Sequence, residues 1–377
     1  MSVYTVNLAR ALDLAGASVH ILGFGDGPPG LELSPNLTFV NLGPDPGFLD
    51  WFGGIATTYR YLRRRLAKAS SRIAKDADVF HFVYPEALFR PVGGTTWVTA
   101  TAWGFSSPSE IITDAPKKFA NIWKLIGMTA ELQFYHLDRQ AVQEADAVVC
   151  TTRAAARFWG SVSGGPIAYL PVPISGPTTH AEPLVSRRRD ETVTFLFAER
   201  QLERSRNNLA VLLRALKILA ADKIGGYRVI LIGGHTSRLS SQLVSLQTAG
   251  VELEIYPYLH RSAYLDVLDR TDVSVVLRFI KDQGALWPLE GMARGIPVIA
   301  SDMPAFHDFV IPGKTGLLVN PYDPCDVAAK MRLLIENRSM LDSMGRGAAR
   351  FVREAHALEA VGPAYLSFYE NMMGTRA

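Results

Sequence analysis

Two carboxylates in the C-terminal half of the chain, Asp282 and Glu290, are spaced so that both could act in one binding or catalytic site. Seven residues separate them, including a turn at Gly284 and the predicted start of a helix at Leu286. A loop that enters a helix offers free backbone N–H groups and the positive end of the helix dipole, which suit a nucleoside diphosphate. The flanking carboxylates can accept hydrogen bonds from sugar hydroxyls. From the residues alone, ordinary surface carboxylates remain the alternative.

The elements that must position these carboxylates follow a repeating pattern. Short apolar strands alternate with longer helical stretches such as Asn208–Ala221 and Leu286–Arg294, which is typical of parallel sheets covered on both faces. A helix is predicted at the start of the chain, over Val3–Leu12. The predicted strands are Ser18–Leu22, Leu37–Leu42, Val79–Val83, Thr96–Thr101, Ala147–Cys150, Ile167–Leu170, Val193–Phe197, Arg228–Ile232, Val251–Ile255, Val273–Leu277, Pro297–Ala300 and Gly316–Val319.

A proline-rich stretch, Pro171–Pro177, interrupts this pattern, and polar and basic residues follow it to Arg189. We interpret it as the hinge between two α/β domains, residues 1–175 and 190–354. Two doubly wound sheets in tandem would place the carboxyl ends of their strands, where ligands bind, on either side of a cleft. This architecture serves several chemistries and does not identify one by itself.

Composition limits the class of protein. A chain of 377 residues is too long for one ordinary domain, and 48% hydrophobic residues can form sizeable cores, which excludes a disordered protein. The 39 Lys and Arg residues against 36 Asp and Glu leave a net charge of only +3, which argues against a nucleic-acid-coating protein. The two cysteines, Cys150 and Cys325, lie too far apart in sequence for a CxxC metal site. With no apolar run of membrane-spanning length and no signal peptide, we expect a cytoplasmic protein.

The segment Asp282–Ser301 resembles the E-x7-E motif of the family 4 retaining glycosyltransferases, which have the GT-B fold of two Rossmann-like domains. Other segments resemble that family in the same order along the chain; they are Ala145–Thr152, Tyr169–Ile174, Val229–Gly234 and Gly313–Val319. The resemblance implies the GT-B fold, and a last helix within residues 355–377 that crosses back onto the first domain.

The resemblance also implies roles for the motif. Glu290 would hydrogen-bond the nucleotide ribose, and Asp282 would bond the hydroxyls of the transferred sugar. Backbone N–H groups near Ala285 and Leu286, just after Gly284, would face the phosphates. The base would lie near residues 256–260. The family usually has a Glu at the position of Asp282. Aspartate keeps the negative charge, but its side chain is one methylene shorter.

Two cations belong to the phosphate site of that family, an Arg and a Lys after the first strand of the C-terminal domain. Arg200 matches the Arg, whereas Asn207 stands at the position of the Lys. Arg206, next to it, could supply the missing charge to a departing diphosphate. A solvated loop arginine is the alternative for Arg206. The implied catalytic residues are Asp282, Glu290 and Arg200.

The first domain departs further from the family. Its members begin with a strand and a Gly-Gly loop ahead of the first helix, whereas this chain starts at that helix, so we expect either an upstream start or a sheet without its usual first strand. Trp103 replaces a usual histidine, and its indole can stack on a sugar or pack in the core but cannot accept a proton. His81 is predicted to lie beside the core. Asp76 and Asp78 precede a buried strand and are not expected to bind a metal.

These expectations combine into one leading hypothesis and its alternatives. The resemblance implies transfer of a hexosyl unit from a nucleotide-diphosphate sugar to a glycan or lipid-linked acceptor, with retention at the anomeric carbon and without a metal or other cofactor. The missing Lys and His leave open a weakly active or inactive protein that binds a sugar nucleotide or a partner. Epimerisation of a sugar nucleotide is a third alternative. A dehydrogenase is excluded because Gly23, Gly25 and Gly27 lack the G-x-G-x-x-G spacing.

A basic stretch, Arg60–Lys75, contains no acidic residue. It is either a solvated helix face or a surface attracted to anionic lipid headgroups, with about 1 kcal/mol per basic residue near the membrane. The second interpretation would suit an enzyme with a lipid-linked acceptor at the cytoplasmic face.

Overall fold

The computed structural model describes residues 3–23, 33–41, 64–65, 68, 77–83, 97–102, 135–176, 192–202, 208–234, 237–278 and 286–374. These residues form two compact units. The first contains the described residues up to Pro173 together with those from Leu358 onward, and the second contains the described residues from Ile174 to Ala357.

All strand pairing between named strands is parallel, as the alternating pattern predicts. In the first unit, β1 (Val19–Gly23) pairs with β2 (Leu37–Asn41). A second sheet has the order β3-β4-β5-β6. Its strands are β3 (Val79–Phe82), β4 (Trp97–Ala102), β5 (Ala147–Cys150) and β6 (Ile167–Tyr169).

The second unit is built on a six-stranded parallel sheet of order β12-β11-β10-β7-β8-β9. Its strands are β7 (Val193–Gln201), β8 (Tyr227–Gly234), β9 (Glu252–Tyr256), β10 (Val273–Val276), β11 (Val298–Ser301) and β12 (Gly316–Val319). Each of the twelve predicted strands is present, so the α/β class predicted from the sequence is confirmed. β7 and β8 are longer than expected, because β7 continues to Gln201 and β8 runs from Tyr227 to Gly234.

Helices cover these sheets. They are α1 (Val3–Leu14), α2 (Arg153–Trp159), α3 (Leu209–Ala221), α4 (Ser237–Thr248), α5 (Arg261–Leu268), α6 (Leu286–Ala293), α7 (Pro324–Glu336), α8 (Arg338–Ala355) and α9 (Leu358–Gly374), and residues 135–144 are also helical. Side-chain oxygens cap several N-termini: Thr152 accepts from Ala155 N, and Asp323 accepts from Cys325 N. Within the described residues, none of the helices has the length and apolar character needed to cross a membrane.

The core of the second unit explains why its sheet is well formed. Leu212, Leu216 and Leu219 of α3 are fully buried in one cluster with Phe195 and Leu231 of the sheet. Burying each such side chain contributes roughly 1.5–3 kcal/mol. The central strand β10 is buried along its whole length, so its near-continuous apolar sequence is the one that a doubly covered strand requires.

In the first unit, the C-terminal helix α9 packs closely against α1. A Cβ on Gly362 would lie 2.0 Å from the backbone oxygen of Ala11, so only glycine permits this approach. The hydroxyls of Tyr4 and Tyr365 form a buried hydrogen bond of 2.8 Å between the two helices.

Candidate functional site

The carboxyl end of β7 is irregular at the position of Arg200. Pairing with β8 is regular up to Ala198 and resumes at Gln201, so that β7 advances three residues while β8 advances two. Glu199 and Arg200 therefore lie opposite the single residue Gly233, which is a β-bulge. Bulges bend a strand and redirect its side chains, and they are frequent next to active sites.

Gly233 makes this bulge possible. Its φ is +147°, and a Cβ there would lie 2.1 Å from the backbone oxygen of Glu199. A side chain at this position would both strain the backbone and collide with the bulge. The geometry of the segment that carries Arg200 thus depends on a glycine in the neighbouring strand.

An ion pair joins the ends of the two adjacent strands β7 and β10. Nη2 of Arg278 lies 3.1 and 3.2 Å from the two carboxylate oxygens of Glu199, and its Nε lies 3.3 Å from Oε1. The backbone N–H of Arg278 donates to Oγ of Ser301 at 2.7 Å, which ties in the end of β11. Because the carboxyl ends of parallel strands form the ligand-binding edge of such a sheet, these contacts stabilise that edge.

Glu290 lies in α6, which follows the loop after β10. Its side chain is only 5% exposed, and Oε1 accepts a hydrogen bond of 2.7 Å from Nη2 of Arg261 in α5. The Arg261 side chain is 45% exposed. The hydrogen bond to Glu290 raises the pKa of Arg261 above its usual value.

Buried polar atoms without a hydrogen-bond partner lie around α6. Within the described part of the chain they include Oη of Tyr264, Oγ of Ser274 and Nε1 of Trp287. Burial, followed by the negative charge of Glu290, raises the pKa of Tyr264 far above its usual value. An unpaired buried polar group costs about 1–3 kcal/mol. A new hydrogen-bond partner for any of these three atoms would therefore be stabilising.

The sequence-predicted site residues differ in how far the structure describes them. Glu290 is described in full, and Arg200 and Leu286 are described at the level of the backbone, in β7 and at the first position of α6. All three belong to the second unit. Asp282, Gly284, Ala285 and Arg206 lie outside the described residues.

Three charged residues of this edge were not predicted from the sequence: Glu199, Arg278 and Arg261. Glu199 directly precedes Arg200, and Arg278 follows an apolar strand after one residue. Arg261 follows the segment 256–260 that was assigned to the base. Each of these residues thus lies beside a segment that the sequence marks as a strand end or as part of the nucleotide site. The ion-pair partner of each was not predictable, because it lies far away in sequence.

The remaining predicted groups lie in the first unit. Of the basic stretch 60–75, the described residues are 64, 65 and 68, which are helical. Asp78 precedes β3, while Asp76 and Trp103 lie outside the described residues. Among the residues that the structure describes, no group of three or more His, Cys, Asp and Glu could hold a metal ion.

His81 lies in a polar network inside the first unit. Its Nε2 lies 2.5 Å from Oγ1 of Thr101, and its Nδ1 lies 2.9 Å from both Oγ1 of Thr99 and Oη of Tyr369. Burial lowers the pKa of His81 to about 4. This neutral imidazole connects β3 and β4 to α9.

Comparison with known families gives matches to two models that together span most of the chain. Residues 183–351 match "Glycosyl transferases group 1", and residues 1–173 match "Glycosyl transferase 4-like domain". The match to residues 1–173 contains the two sheets of the first unit, and the match to residues 183–351 contains the six-stranded sheet of the second.

The chain is similar over nearly its whole length to a D-inositol 3-phosphate glycosyltransferase of Geodermatophilus obscurus, with 24% identity over 99% of this chain and 85% of the relative. Solved structures with a similar fold include a sucrose-phosphate synthase from Thermosynechococcus elongatus (TM-score 0.69, 17% identity, 99% and 93% of the two chains). An α,α-trehalose 6-phosphate synthase from Burkholderia multivorans is also similar (TM-score 0.70, 13% identity, 100% and 93%). These neighbours have the GT-B fold, so the fold predicted from the sequence is confirmed.

Proposed function

Because the chain belongs to the group 1 glycosyltransferases of family 4, we propose that it transfers a hexosyl unit from a nucleotide-diphosphate sugar to a glycan or lipid-linked acceptor, with retention at the anomeric carbon. The observation that carries the proposal is the position of Glu290. Its buried carboxylate lies in α6, directly after the loop that contains Asp282, in the unit whose sheet edge carries Arg200.

In the proposed reaction, the donor binds to the second unit. The ribose hydroxyls donate to Glu290, and Asp282 accepts from hydroxyls of the transferred sugar. The N–H groups at the start of α6, near Gly284, Ala285 and Leu286, face the diphosphate together with Arg200 and Arg206.

The chemical step exchanges one glycosidic bond for another. The bond between the anomeric carbon and the phosphate oxygen breaks, and the acceptor oxygen bonds to the same face of that carbon. The acceptor proton passes to the departing phosphate oxygen. Arg200, with Arg206, stabilises the charge that develops on the diphosphate. The proposed chemistry uses no metal.

A turnover assay tests the proposal. The purified protein is offered UDP-, GDP- and ADP-hexoses with a panel of acceptors, including D-inositol 3-phosphate because a relative is named for it. Release of nucleoside diphosphate is measured, and NMR of the product gives its anomeric configuration. We expect release that depends on acceptor and falls at least a hundredfold in Glu290→Ala and Arg200→Ala.

The matched control is Glu252→Gln, an exposed carboxylate of β9 that we expect to leave turnover unchanged. A wild-type protein that binds nucleotide but never turns over with any donor and acceptor would instead favour the weakly active or inactive alternative. An inverted product would contradict retention alone.

We also propose that the enzyme is cytoplasmic and contacts anionic membranes through Arg60–Lys75. The support is the run of basic residues, of which Arg64 and Lys68 are exposed on helical backbone. Sedimentation with vesicles of neutral and anionic lipid, with the arginines reversed to glutamate, tests this contact. Unchanged binding of the reversed variant to anionic vesicles would contradict it.

A further inference from the structure

The ion pair between Arg261 and Glu290 has a role beyond packing. We propose that Arg261 is a positioning residue, which holds the carboxylate of Glu290 oriented so that its second oxygen accepts the ribose hydroxyls of the donor. This inference rests on the proposed function, since it assigns Arg261 to the same nucleotide site.

The first argument is electrostatic. The Glu290 side chain is 5% exposed, and burying a carboxylate without a counter-charge is costly. Neutral ribose hydroxyls cannot supply that charge. Arg261 supplies it and cannot lose its own proton at any physiological pH. The guanidinium therefore has to stay in place when the donor binds.

The second argument is geometric. Arg261 contacts Oε1 of Glu290 at 2.7 Å, and within the described residues no side chain donates to Oε2. A carboxylate has about four lone-pair sites on its two oxygens, so a single contact leaves most of its accepting capacity available. The contact fixes the orientation of the carboxylate without filling the side that the ribose would use.

The third argument is the asymmetry of the pair. Arg261 is 45% exposed, so its side chain reaches Glu290 from the solvent side of α5 and not from the core. The buried hydroxyl of Tyr264, one turn later in α5, has no hydrogen-bond partner among the described residues. Burial, followed by the charge of Glu290, raises the pKa of this hydroxyl, so both Arg261 and Tyr264 lie within electrostatic reach of Glu290.

The opposite hypothesis is that Arg261 occupies the ribose site and must leave before the donor can bind. The two hypotheses predict opposite signs. Loss of a positioning residue weakens nucleotide binding, whereas loss of a competing side chain strengthens it. The dependence on the ribose hydroxyls separates both from a merely structural role.

The experiment measures dissociation constants of UDP, GDP and ADP and of their 2′-deoxy forms by calorimetry. The proteins are wild type, Arg261→Gln, Arg261→Lys and the matched control Arg332→Gln. Arg332 lies in α7 of the same unit, is 36% exposed and pairs with Asp222, so it reproduces an exposed arginine–carboxylate pair outside the proposed donor site.

We expect Arg261→Gln to bind the preferred ribonucleotide roughly tenfold more weakly, the loss that corresponds to a charge-assisted hydrogen bond. Its ratio of deoxy to ribo dissociation constants should fall towards one. Arg261→Lys, which keeps the charge, should recover part of the affinity and part of the ratio, and Arg332→Gln should match the wild type. If Arg261→Gln does not fold, the comparison of Arg261→Lys with the control decides. A lysine keeps the charge but lacks the fixed geometry of the guanidinium, so a positioning role predicts weaker nucleotide binding in Arg261→Lys than in the control.

An unchanged ratio in folded Arg261 variants, or tighter binding, overturns the positioning role while leaving the proposed function intact. If the wild type binds none of the nucleotides, the proposed function fails and the role of Arg261 fails with it.

Discussion

At the scale of single residues, the pair Glu199–Arg278 should stabilise the second unit more than exposed pairs do. Its side chains are 9% and 21% exposed, and Arg278 reaches both carboxylate oxygens. In a double-mutant cycle of Glu199→Gln and Arg278→Gln, we expect a coupling free energy of about 2 kcal/mol. Urea unfolding measures it.

The control cycle uses Arg228 and Glu252, which lie 2.5 Å apart but are 31% and 53% exposed. Its coupling should stay below about 1 kcal/mol because solvent screens exposed pairs. Equal coupling free energies in the two cycles would show that the pair Glu199–Arg278 stabilises the protein no more than an exposed pair does.

His81 should make the first unit sensitive to acid. Because burial lowers its pKa to about 4, against about 6.5 in an unfolded chain, the unfolded state binds the proton more tightly between these values. Stability is therefore full above about pH 6.5 and falls as the pH drops towards 4. From pH 7 to pH 5, His81 alone should cost roughly 2 kcal/mol of unfolding free energy.

The measurement compares wild type with His81→Gln by hydrogen exchange of the β3 and β4 amides, corrected for the intrinsic rate at each pH. The variant should be less stable at pH 7, since it cannot reproduce both ring contacts, but its loss towards pH 5 should be smaller by that amount. Parallel pH dependences in the two proteins would exclude His81 as the source.

At the scale of elements, the β-bulge of β7 should be essential for donor binding. Gly233→Ala would place a Cβ 2.1 Å from the Glu199 oxygen at a φ of +147°, so β7 must shift and displace the backbone of Arg200. We expect at least a tenfold loss of nucleoside diphosphate affinity and a loss of about 1–3 kcal/mol in stability. Calorimetry and urea unfolding measure the two effects.

The matched control for that variant is Gly225→Ala in the turn before β8. A Cβ there meets no atom within 4 Å, so both quantities should stay close to wild type, within about 0.5 kcal/mol for stability. A Gly233→Ala protein that binds nucleotide as tightly as this control would mean that the bulge does not position Arg200.

The same elements show how far sequence reasoning reaches. The strands were predictable because parallel strands buried on both faces are short apolar runs, as Val273–Val276 and Gly316–Val319 illustrate. The helix that carries Glu290 was predictable because its motif is local in sequence, and the role of Glu290 stays a prediction. The bulge was not, since it results from the register between β7 and β8 and from the conformation of Gly233. The pairing of Glu290 with Arg261 brings together side chains of two different helices, which no short segment encodes.

At the scale of the whole molecule, the two units have separate sheets and separate cores. Local opening free energies can therefore differ between them, and a ligand held by one unit stabilises that unit first. The described groups of the proposed donor site, which are Glu290, Arg261 and the Arg200 bulge, all belong to the second unit. The position of ligand-induced protection along the chain thus reports where the donor binds.

Hydrogen exchange with and without the preferred nucleoside diphosphate should show this division. At a ligand concentration of about 100 times Kd, binding stabilises the folded state by roughly 2.7 kcal/mol. Amides of β7, β10, α5 and α6 should become slower to exchange by up to about a hundredfold, whereas those of β3–β6 should change little. The Glu290→Gln protein at the same ligand concentration is the control and should lose most of this protection. Slowing of β3–β6 as strong as that of β7 and β10 would contradict a donor site confined to the second unit, because it would require nucleotide contacts with the first unit.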